Sequence, residues 1–312
     1  MLQRTLVFWL LAVCGMALYW EPLGAASAVG DPWLWLYGHI NAMIVATMFS
    51  VGVLLPREEL VALGRMGGPV AGGVLCQYAA MPALAWLATR IFPLSPEDQL
   101  GVVMVGCVPG AMASNVLTLN ARGHVGYSVS LTTLATLVSP AAVPAAMLVA
   151  LGTWHYDPLL LRSALFMVVT VVVPVLAGHC AGRLVRATFA RGLAALVANL
   201  LVLLIIASVV AKTRHQFTRL HLVLPAALLA INLAGYGAGW TAATMLKLPS
   251  PMRRALTLEI GMQNAGLGAA LAVHLFPTKP EVAVAPALYS FGCMLTGTLL
   301  SQYWALRPPA SA

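Results

Sequence analysis

Charged side chains are scarce in this sequence. Asp, Glu, Lys and Arg make up 8% of the 312 residues, whereas a soluble globular domain carries roughly 25%. Hydrophobic residues make up 61%, and the mean hydropathy is +0.89. A chain with so little polar surface cannot cover itself in water. The composition therefore excludes the soluble classes and indicates an integral membrane protein in a lipid bilayer.

The sequence also lacks the patterns of several chemistries. The five cysteines are scattered, mostly inside apolar segments, and form no CxxC pair, so we interpret them as small apolar residues: Cys14, Cys76, Cys107, Cys180 and Cys293. The chain has no HExxH or GxGD motif, which disfavours an intramembrane protease and an enzyme in general. The net charge of +8 comes from Lys and Arg in short loops. It requires no nucleic-acid partner, and no obligate protein partner is evident.

Ten apolar segments are candidates to cross a hydrocarbon core about 30 Å thick, which takes roughly 20 residues of helix. They cover residues 5–20, 33–55, 69–92, 99–119, 124–152, 158–181, 189–211, 221–246, 254–276 and 283–306. With both termini in the cytoplasm, most of the 17 Lys and Arg lie in cytoplasmic loops, although the loop at residues 212–219 disagrees. The sequence therefore predicts a multi-pass protein of the cell (inner) membrane with ten helices.

The first segment has a second interpretation. Arg4, the apolar run at residues 6–18 and the small residues at 25–28 also fit a secretory signal peptide. Its cleavage would leave nine spans, with the others oriented as before. Both interpretations stay open at this point.

Two of the ten segments are interrupted. Pro109 and Gly110 break the fourth, and Gly261 breaks the ninth among polar residues. Each is fourth of five in its half of the chain, and an odd number of spans per half inverts the second half in the membrane. Broken helices at corresponding positions of inverted halves indicate a transporter's binding site. An ordinary kink is the alternative for either break alone.

Glu259 is placed at membrane depth, whereas the rest of the nine acidic residues lie in loops or at a helix end. Burying a carboxylate there costs about 3 kcal/mol on mild insertion scales. It is therefore a cation ligand, a proton carrier or half of a structural ion pair, and no Lys or Arg lies at comparable depth. Neutral oxygen donors in neighbouring spans favour a hard cation such as Na⁺: Gln77, Ser114, Asn115, Ser128, Thr132, Gln263 and Asn264.

Two longer motifs carry a family resemblance. The stretches PGAMASNVLTLNARGHVGYSVSLTTLATLVSP (109–140) and LEIGMQNAGLGAAL (258–271) resemble the two signature regions of the bile acid:sodium symporter family. The stretches MFSVGVLLPREEL and CQYAAMPALAWL are similar to its second and third helices. The resemblance implies an all-α polytopic fold of ten transmembrane helices in two inverted five-helix repeats, with broken helices 4 and 9 crossing at the midplane.

The resemblance also implies domain boundaries. The first repeat would cover residues 1–152 and the second 153–312. A panel domain would consist of the helices at about 5–55 and 158–211. A core domain would consist of the helices at about 69–152 and 221–306.

Two sodium sites are implied next to the crossing. The first would be formed by Ser114, Asn115, Ser128, Thr132 and Glu259. The second would be formed by Gln77, Glu259, the Ile260 carbonyl, Met262 and Gln263. Both would lie behind the helix breaks at Pro109, Gly110 and Gly261, and two sodium ions would act as coupling ions.

The substrate site carries a departure from the family pattern. Bacterial relatives typically read Pro-Gly-Gly-Thr-Ala-Ser-Asn where this chain has Ala111 and Met112, so a hydroxyl is missing from the substrate-facing helix end. Asn264, the other substrate-binding candidate, is retained. The expected function is sodium-coupled import of a small organic anion, a bile acid or a pantoate-like carboxylate, by alternating access. A channel, a proton-coupled or uncoupled carrier and an arsenite-type permease on a related fold are the alternatives.

Overall fold

The computed structural model describes residues 6–20, 30–55, 66–151, 158–184, 188–218 and 221–307. Within these ranges the regular structure is helical, and strand-like pairing is limited to an isolated antiparallel bridge between Gly110 and Gln263. The predicted all-α class is confirmed at this level. Arg4 and residues 25–28, which carry the signal-peptide interpretation, lie outside the described residues.

The first half of the chain begins with a short helix and a bent pair. The axes of the paired helices Pro32–Gly38 and Ile40–Leu54 differ in direction by 73°. The Asp31 side chain caps the first of them by accepting hydrogen bonds from two backbone N–H groups. The helices are α1 (Leu6–Tyr19), α2 (Pro32–Gly38), α3 (Ile40–Leu54), α4 (Gly67–Ile91), α5 (Pro96–Cys107), α6 (Ala113–Asn120) and α7 (Val125–Leu151).

The second half contains one π-helical turn and one 3₁₀ turn between its helices. These turns are Val168–Val172 and Pro280–Ala283. The helices are α8 (Pro158–Met167), α9 (Val173–Leu184), α10 (Thr188–Lys212), α11 (Arg214–Thr218), α12 (Val223–Met245), α13 (Ser250–Gly261), α14 (Ala265–Leu275) and α15 (Val284–Ala305).

Six stretches of helix in the described part are long and apolar enough to cross a membrane, and the bent α2–α3 pair makes up to seven. They lie in α4, α7, α8–α9, α10, α12 and the stretch ending in α15. The remaining predicted segments contain α1 and the interrupted pairs α5–α6 and α13–α14. Every predicted segment is helical, and the ten-span count and the inverted repeat stay predictions.

The helices pack in two groups. In the panel group (α1, α3, α9 and α10), α3 packs against α9 and α10, and α1 packs on α10. In the core group (α4 to α7 and α12 to α15), α4 packs against α5, α7 and α12, and α12 packs against α13 and α15. Helix α8 packs on α7.

Helices α3 and α9 of the panel group are in backbone contact. A Cβ atom on Gly52 would overlap the carbonyl oxygen of Val175, and one on Gly178 would overlap that of Phe49. Small residues on both helices therefore allow this approach, which in a bilayer supplies much of the packing energy between helices.

The ninth predicted segment, residues 254–276, begins later than the helix does. Helix α13 begins at Ser250, so Arg253 and Arg254 both lie in it. Arg254 is 6% exposed, and its guanidinium donates to the backbone carbonyls of Ala121 and Trp304 over 2.7 and 3.1 Å. Because those carbonyls lie at the ends of α6 and α15, the arginine adds hydrogen bonds at the ends of two other helices. Hydropathy could not show this, since it counts an arginine only as polar.

We predict that Gly178→Ala lowers the apparent melting temperature of the purified protein in detergent. The added methyl group meets the Phe49 carbonyl oxygen, so α3 and α9 must separate, at a cost of about 1–3 kcal/mol. Gly237→Ala in α12 is the matched control, because the space around Gly237 is open. An unchanged melting temperature for Gly178→Ala would contradict the contact.

Candidate functional site

The two interruptions predicted from the sequence lie beside each other. Helix α5 ends at Cys107 and α6 begins at Ala113, while α13 ends at Gly261 and α14 begins at Ala265. The four half-helices therefore meet at two short non-helical segments. Such backbone is tolerated at membrane depth where it is enclosed by protein or lines a cavity.

Two backbone hydrogen bonds join these segments. The Ala111 N–H donates to the Met262 carbonyl over 2.7 Å, and the Asn264 N–H donates to the Pro109 carbonyl over 2.9 Å. Each break thus supplies the partners that the other has lost by leaving its helix. We call this pair of segments, residues 108–112 and 262–264, the crossing.

Gly110 brings the first break against Glu259. A Cβ atom at this position would overlap Oε1 of the Glu259 carboxylate and lie 3.2 Å from the Glu259 carbonyl oxygen. The neighbouring Pro109 has no N–H with which to continue α5. The two residues together end the helix and leave room for a carboxylate at the crossing.

The Glu259 carboxylate is fully buried and held by two hydroxyl groups. Ser114 Oγ, in α6, donates to Oε2 over 2.5 Å, and Thr132 Oγ1, in α7, donates to Oε1 over 2.7 Å. One side chain from α13 therefore joins both neighbouring helices of the other half of the chain. Hydrogen bonds to an ionised acceptor are the stronger kind.

The structural ion pair considered for Glu259 is not found among the described residues. There, the ion pairs are Arg214–Asp31 and Lys279–Glu97, both near helix ends. Gln216 also donates to Glu281 over 3.0 Å and so connects α11 to the 3₁₀ turn before α15. The buried Glu259 carboxylate thus has hydroxyl partners and, in the part of the chain that the structure describes, no cationic one.

The other residues named for the first sodium site continue the same network. Asn115 Oδ1 accepts from Ser128 Oγ over 2.8 Å and lies 3.4 Å from Thr132 Oγ1. Thr118 Oγ1 lies 3.3 Å from Ser128 Oγ. Thr118 was missed by the sequence reasoning, although it lies four residues after Ser114 on the same helix face.

The second predicted sodium site contains buried amide groups without partners. Gln77 in α4 and Gln263 at the crossing are each 1% exposed. Within the described residues, both polar atoms of Gln77 and the Oε1 of Gln263 make no hydrogen bond, whereas Gln263 Nε2 donates to the Ile260 carbonyl over 2.9 Å. No hydrogen bond joins Gln77 to the rest of this site. An unpaired buried oxygen is costly, and a cation would satisfy it.

A cavity of about 320 Å³ lies between the panel and core groups, beside the crossing. Met112 and Asn264, the two substrate-binding candidates, both line it. They are the N-cap residues of α6 and α14, and Asn264 Oδ1 accepts from the Leu267 N–H over 3.1 Å. Helix N-termini carry partial positive charge. Among the described residues that line the cavity there is no Lys or Arg, so these two termini supply positive potential there.

The core group contains a further polar cluster that sequence reasoning missed. Asn232 in α12 and Tyr289 in α15 both donate to the carbonyl oxygen of Gly261, the last residue of α13. The available signal was an asparagine in the middle of an otherwise apolar span.

Comparison with known proteins places the chain in a family. The profile of the Sodium Bile acid symporter family matches residues 42–220, more than half of the sequence. The chain belongs to the sodium bile acid symporter family. The family resemblance stated from the sequence motifs is thereby confirmed, and the matched range contains the first motif, at residues 109–140.

Relatives within the symporter family cover most of the chain. It is 33% identical to the uncharacterized sodium-dependent transporter YocS of Bacillus subtilis (strain 168), over 88% of this chain and 85% of the relative. It is 27% identical to the probable chloroplastic sodium/metabolite cotransporter BASS1 of Oryza sativa subsp. japonica, over 96% and 72%. It is also 27% identical to the ileal sodium/bile acid cotransporter of Homo sapiens, over 86% and 79%. The family consists of sodium-dependent transporters, not enzymes.

We predict that sodium raises the melting temperature of the purified wild-type protein and that Gly110→Ala removes this stabilisation. The added methyl group occupies the position of Glu259 Oε1 and displaces the carboxylate from its hydroxyl donors. A ligand that binds the folded state raises the melting temperature, so the shift on adding NaCl in place of choline chloride measures the site.

Gly268→Ala in α14 is the matched control for this variant. Its added Cβ would lie 3.4 Å from Pro286 Cβ, which is an ordinary contact. If Gly110→Ala were stabilised by sodium as strongly as Gly268→Ala, the close contact with Glu259 would not matter for the site.

Proposed function

We propose that this protein is a sodium-coupled symporter that imports an organic anion by alternating access. The observation that carries the proposal is the Glu259 carboxylate, fully buried beside two helix breaks and surrounded by hydroxyl and amide oxygens. Transporters bind their coupling ions at such breaks.

The first sodium ion would be held by Glu259 together with Ser114, Asn115, Ser128 and Thr132. All five side chains belong to one hydrogen-bonded cluster. The oxygens of carboxylate, hydroxyl and amide groups are ligands that hard cations prefer. A sodium ion would also neutralise the carboxylate and so offset the cost of burying it.

The second sodium ion would use the other face of Glu259. The unpaired Oε1 atoms of Gln77 and Gln263 support this assignment, together with the carbonyl of Ile260 and a contribution from Met262. The Met262 carbonyl already accepts from Ala111, and a carbonyl oxygen has a second lone pair with which to contact a cation.

The organic anion would bind in the cavity beside the crossing. Its negative group would face the N-termini of α6 and α14, as anions do at helix N-termini elsewhere. Met112 and Asn264 would contact it, and the largely apolar remainder of the wall would take an apolar body. A bile acid and a pantoate-like carboxylate both meet this description.

Coupling would follow from the short distance along the chain between the proposed ion and substrate residues. Gln263, a proposed sodium ligand, lines the cavity together with Met112 and Asn264, so an ion that orders the breaks would also order the helix N-termini. By linkage, sodium and substrate then raise each other's affinity by the same factor. Movement of the core group against the panel group would expose the cavity to the opposite side of the membrane.

The proposed topology has ten transmembrane helices in two inverted five-helix repeats, with helices 4 and 9 formed by α5–α6 and α13–α14. Both termini would be cytoplasmic, and the protein would lie in the cell (inner) membrane. The charge distribution of the loops supports this orientation.

A proton carrier is the rival role for Glu259. Both carboxylate oxygens have a hydroxyl group within 2.7 Å, which suits an ionised carboxylate because it only accepts hydrogen bonds. The unpaired amide oxygens of Gln77 and Gln263 have no purpose in proton transfer. These contacts support the sodium assignment over the proton assignment.

We predict that Glu259→Ala abolishes sodium-dependent uptake while the protein still reaches the membrane. The substitution removes the charge shared by both proposed sites, and uptake of a labelled carboxylate into vesicles measures the loss. Glu97→Gln is the matched control, since Glu97 makes an exposed ion pair with Lys279 near the ends of the helices, and such pairs contribute little. Equal wild-type uptake with choline in place of sodium would reject the coupling.

We predict that sodium increases the thermal stabilisation of the wild-type protein by its substrate, within a panel of bile salts and small carboxylates. In Met112→Thr, the concentration of that substrate for half-maximal stabilisation should change, because residue 112 lines the cavity. The sodium concentration for half-maximal stabilisation without substrate should stay constant. If Met112→Thr altered the sodium value alone, the assignment of Met112 to the substrate would be wrong.

A further inference from the structure

Gly261 is the last residue of α13, and its carbonyl oxygen accepts hydrogen bonds from two side chains of other helices. Asn232 Nδ2, in α12, donates to it over 2.7 Å, and the Tyr289 hydroxyl, in α15, donates over 2.8 Å. Both side chains are 1% exposed. A carbonyl left without a helical partner at membrane depth must find donors, and here it finds two.

A second layer of hydrogen bonds holds Asn232. Thr296 Oγ1 lies 2.6 Å from Asn232 Oδ1, and the Tyr236 hydroxyl lies 3.1 Å from Thr296 Oγ1. Because Asn232 Oδ1 is engaged by a hydroxyl group, its Nδ2 is directed to Gly261. The amide is therefore fixed in the orientation that donates to the break.

The surrounding packing leaves this carbonyl little freedom. A Cβ atom at Gly261 would overlap the ring of Tyr236, and one at Gly235 would lie 3.2 Å from the Cα of Gly261. Helix α12 therefore contacts the end of α13 through its backbone and an aromatic ring. The hydrogen bonds from Asn232 and Tyr289 act on a segment that is already closely packed.

The two breaks differ in this respect. Within the described residues, no side chain donates to the carbonyl of Cys107 or Val108, where α5 ends. At the second break, by contrast, the carbonyl that ends the helix accepts from side chains of two neighbouring helices. This break is also the one beside Glu259 and Gln263. The extra bonds therefore coincide with the residues proposed to hold sodium.

We propose that Asn232 and Tyr289 are positioning residues that set the affinity for sodium by fixing the Gly261 carbonyl. This inference rests on the proposed sodium-coupled function. With the Gly261 carbonyl held, the following peptide is oriented so that the Met262 carbonyl faces the Ala111 N–H. The proposed sodium ligands are then already oriented before an ion binds: the Ile260 and Met262 carbonyls and the Gln263 side chain.

Releasing the Gly261 carbonyl weakens binding without removing a ligand. The break then samples other orientations, and the apparent dissociation constant rises as the fraction of molecules in the competent arrangement falls. Sodium at saturating concentration still selects that arrangement, so the maximal rate of transport is retained. This separation of affinity from maximal rate distinguishes a positioning role from a general loss of structure.

The test is Tyr289→Phe, which removes one hydroxyl group and keeps the aromatic ring in place. We expect the sodium concentration for half-maximal thermal stabilisation and for half-maximal uptake to rise about tenfold, the effect of losing one hydrogen bond to a buried acceptor. The maximal uptake at saturating sodium should match the wild type. Asn232→Ala should raise the half-saturating concentration further.

Thr298→Val is the matched control on α15. Its hydroxyl group donates within its own helix, to the Met294 carbonyl over 2.6 Å, so its loss should leave the half-saturating sodium concentration unchanged. If Asn232→Ala does not fold, Tyr289→Phe still decides the question.

The outcomes separate this inference from the proposed function. A wild-type protein that sodium does not stabilise would overturn both the sodium function and the inference that depends on it. A wild type that is stabilised, together with Tyr289→Phe of unchanged sodium affinity, would overturn the positioning role alone. A lower melting temperature at every sodium concentration, with the same half-saturating value, would also overturn it and leave Tyr289 a structural residue.

Discussion

The hydrogen bonding of one buried carboxylate organises this structure. Glu259 accepts from Ser114 and Thr132 and so joins α13 to α6 and α7. Without these donors both carboxylate oxygens would be buried without a hydrogen bond from a side chain. Gly110 leaves the space that the carboxylate occupies. The break before α6 places the Ser114 hydroxyl at the carboxylate, and the uninterrupted helix α7 supplies the Thr132 hydroxyl. Fold and site share this constraint.

Different contacts restrain the panel group and the core group. In the panel group, α3 and α9 touch through glycines, so their backbones cannot approach further. In the core group, α13 is fixed at its start by Arg254, which bonds the ends of two other helices, and at its end by Asn232 and Tyr289. The largely apolar cavity lies between the groups, where relative movement breaks few hydrogen bonds.

Much of the fold was predictable because a bilayer imposes length and hydropathy on every span. The oxygen donors around Glu259 were predictable because polar residues in apolar segments stand out and because two long motifs resemble a known family. Asn232 and Tyr289 were not found, since which carbonyl they meet depends on how α12 and α15 pack against α13. The start of α13 was misplaced because its first turns are polar, and Thr118 was overlooked although its helical spacing was visible.

The mutual pairing of the two helix breaks has a consequence for ion leakage. The bonds from Ala111 to Met262 and from Asn264 to Pro109 form one reciprocal unit. If one segment moved alone, two backbone amides and two carbonyls would lose their partners in the protein interior, at a cost of about 1–3 kcal/mol each. The pairing therefore disfavours rearrangement of only half of the centre. In the proposed sodium-driven cycle, it would suppress slippage and so conserve the ion gradient.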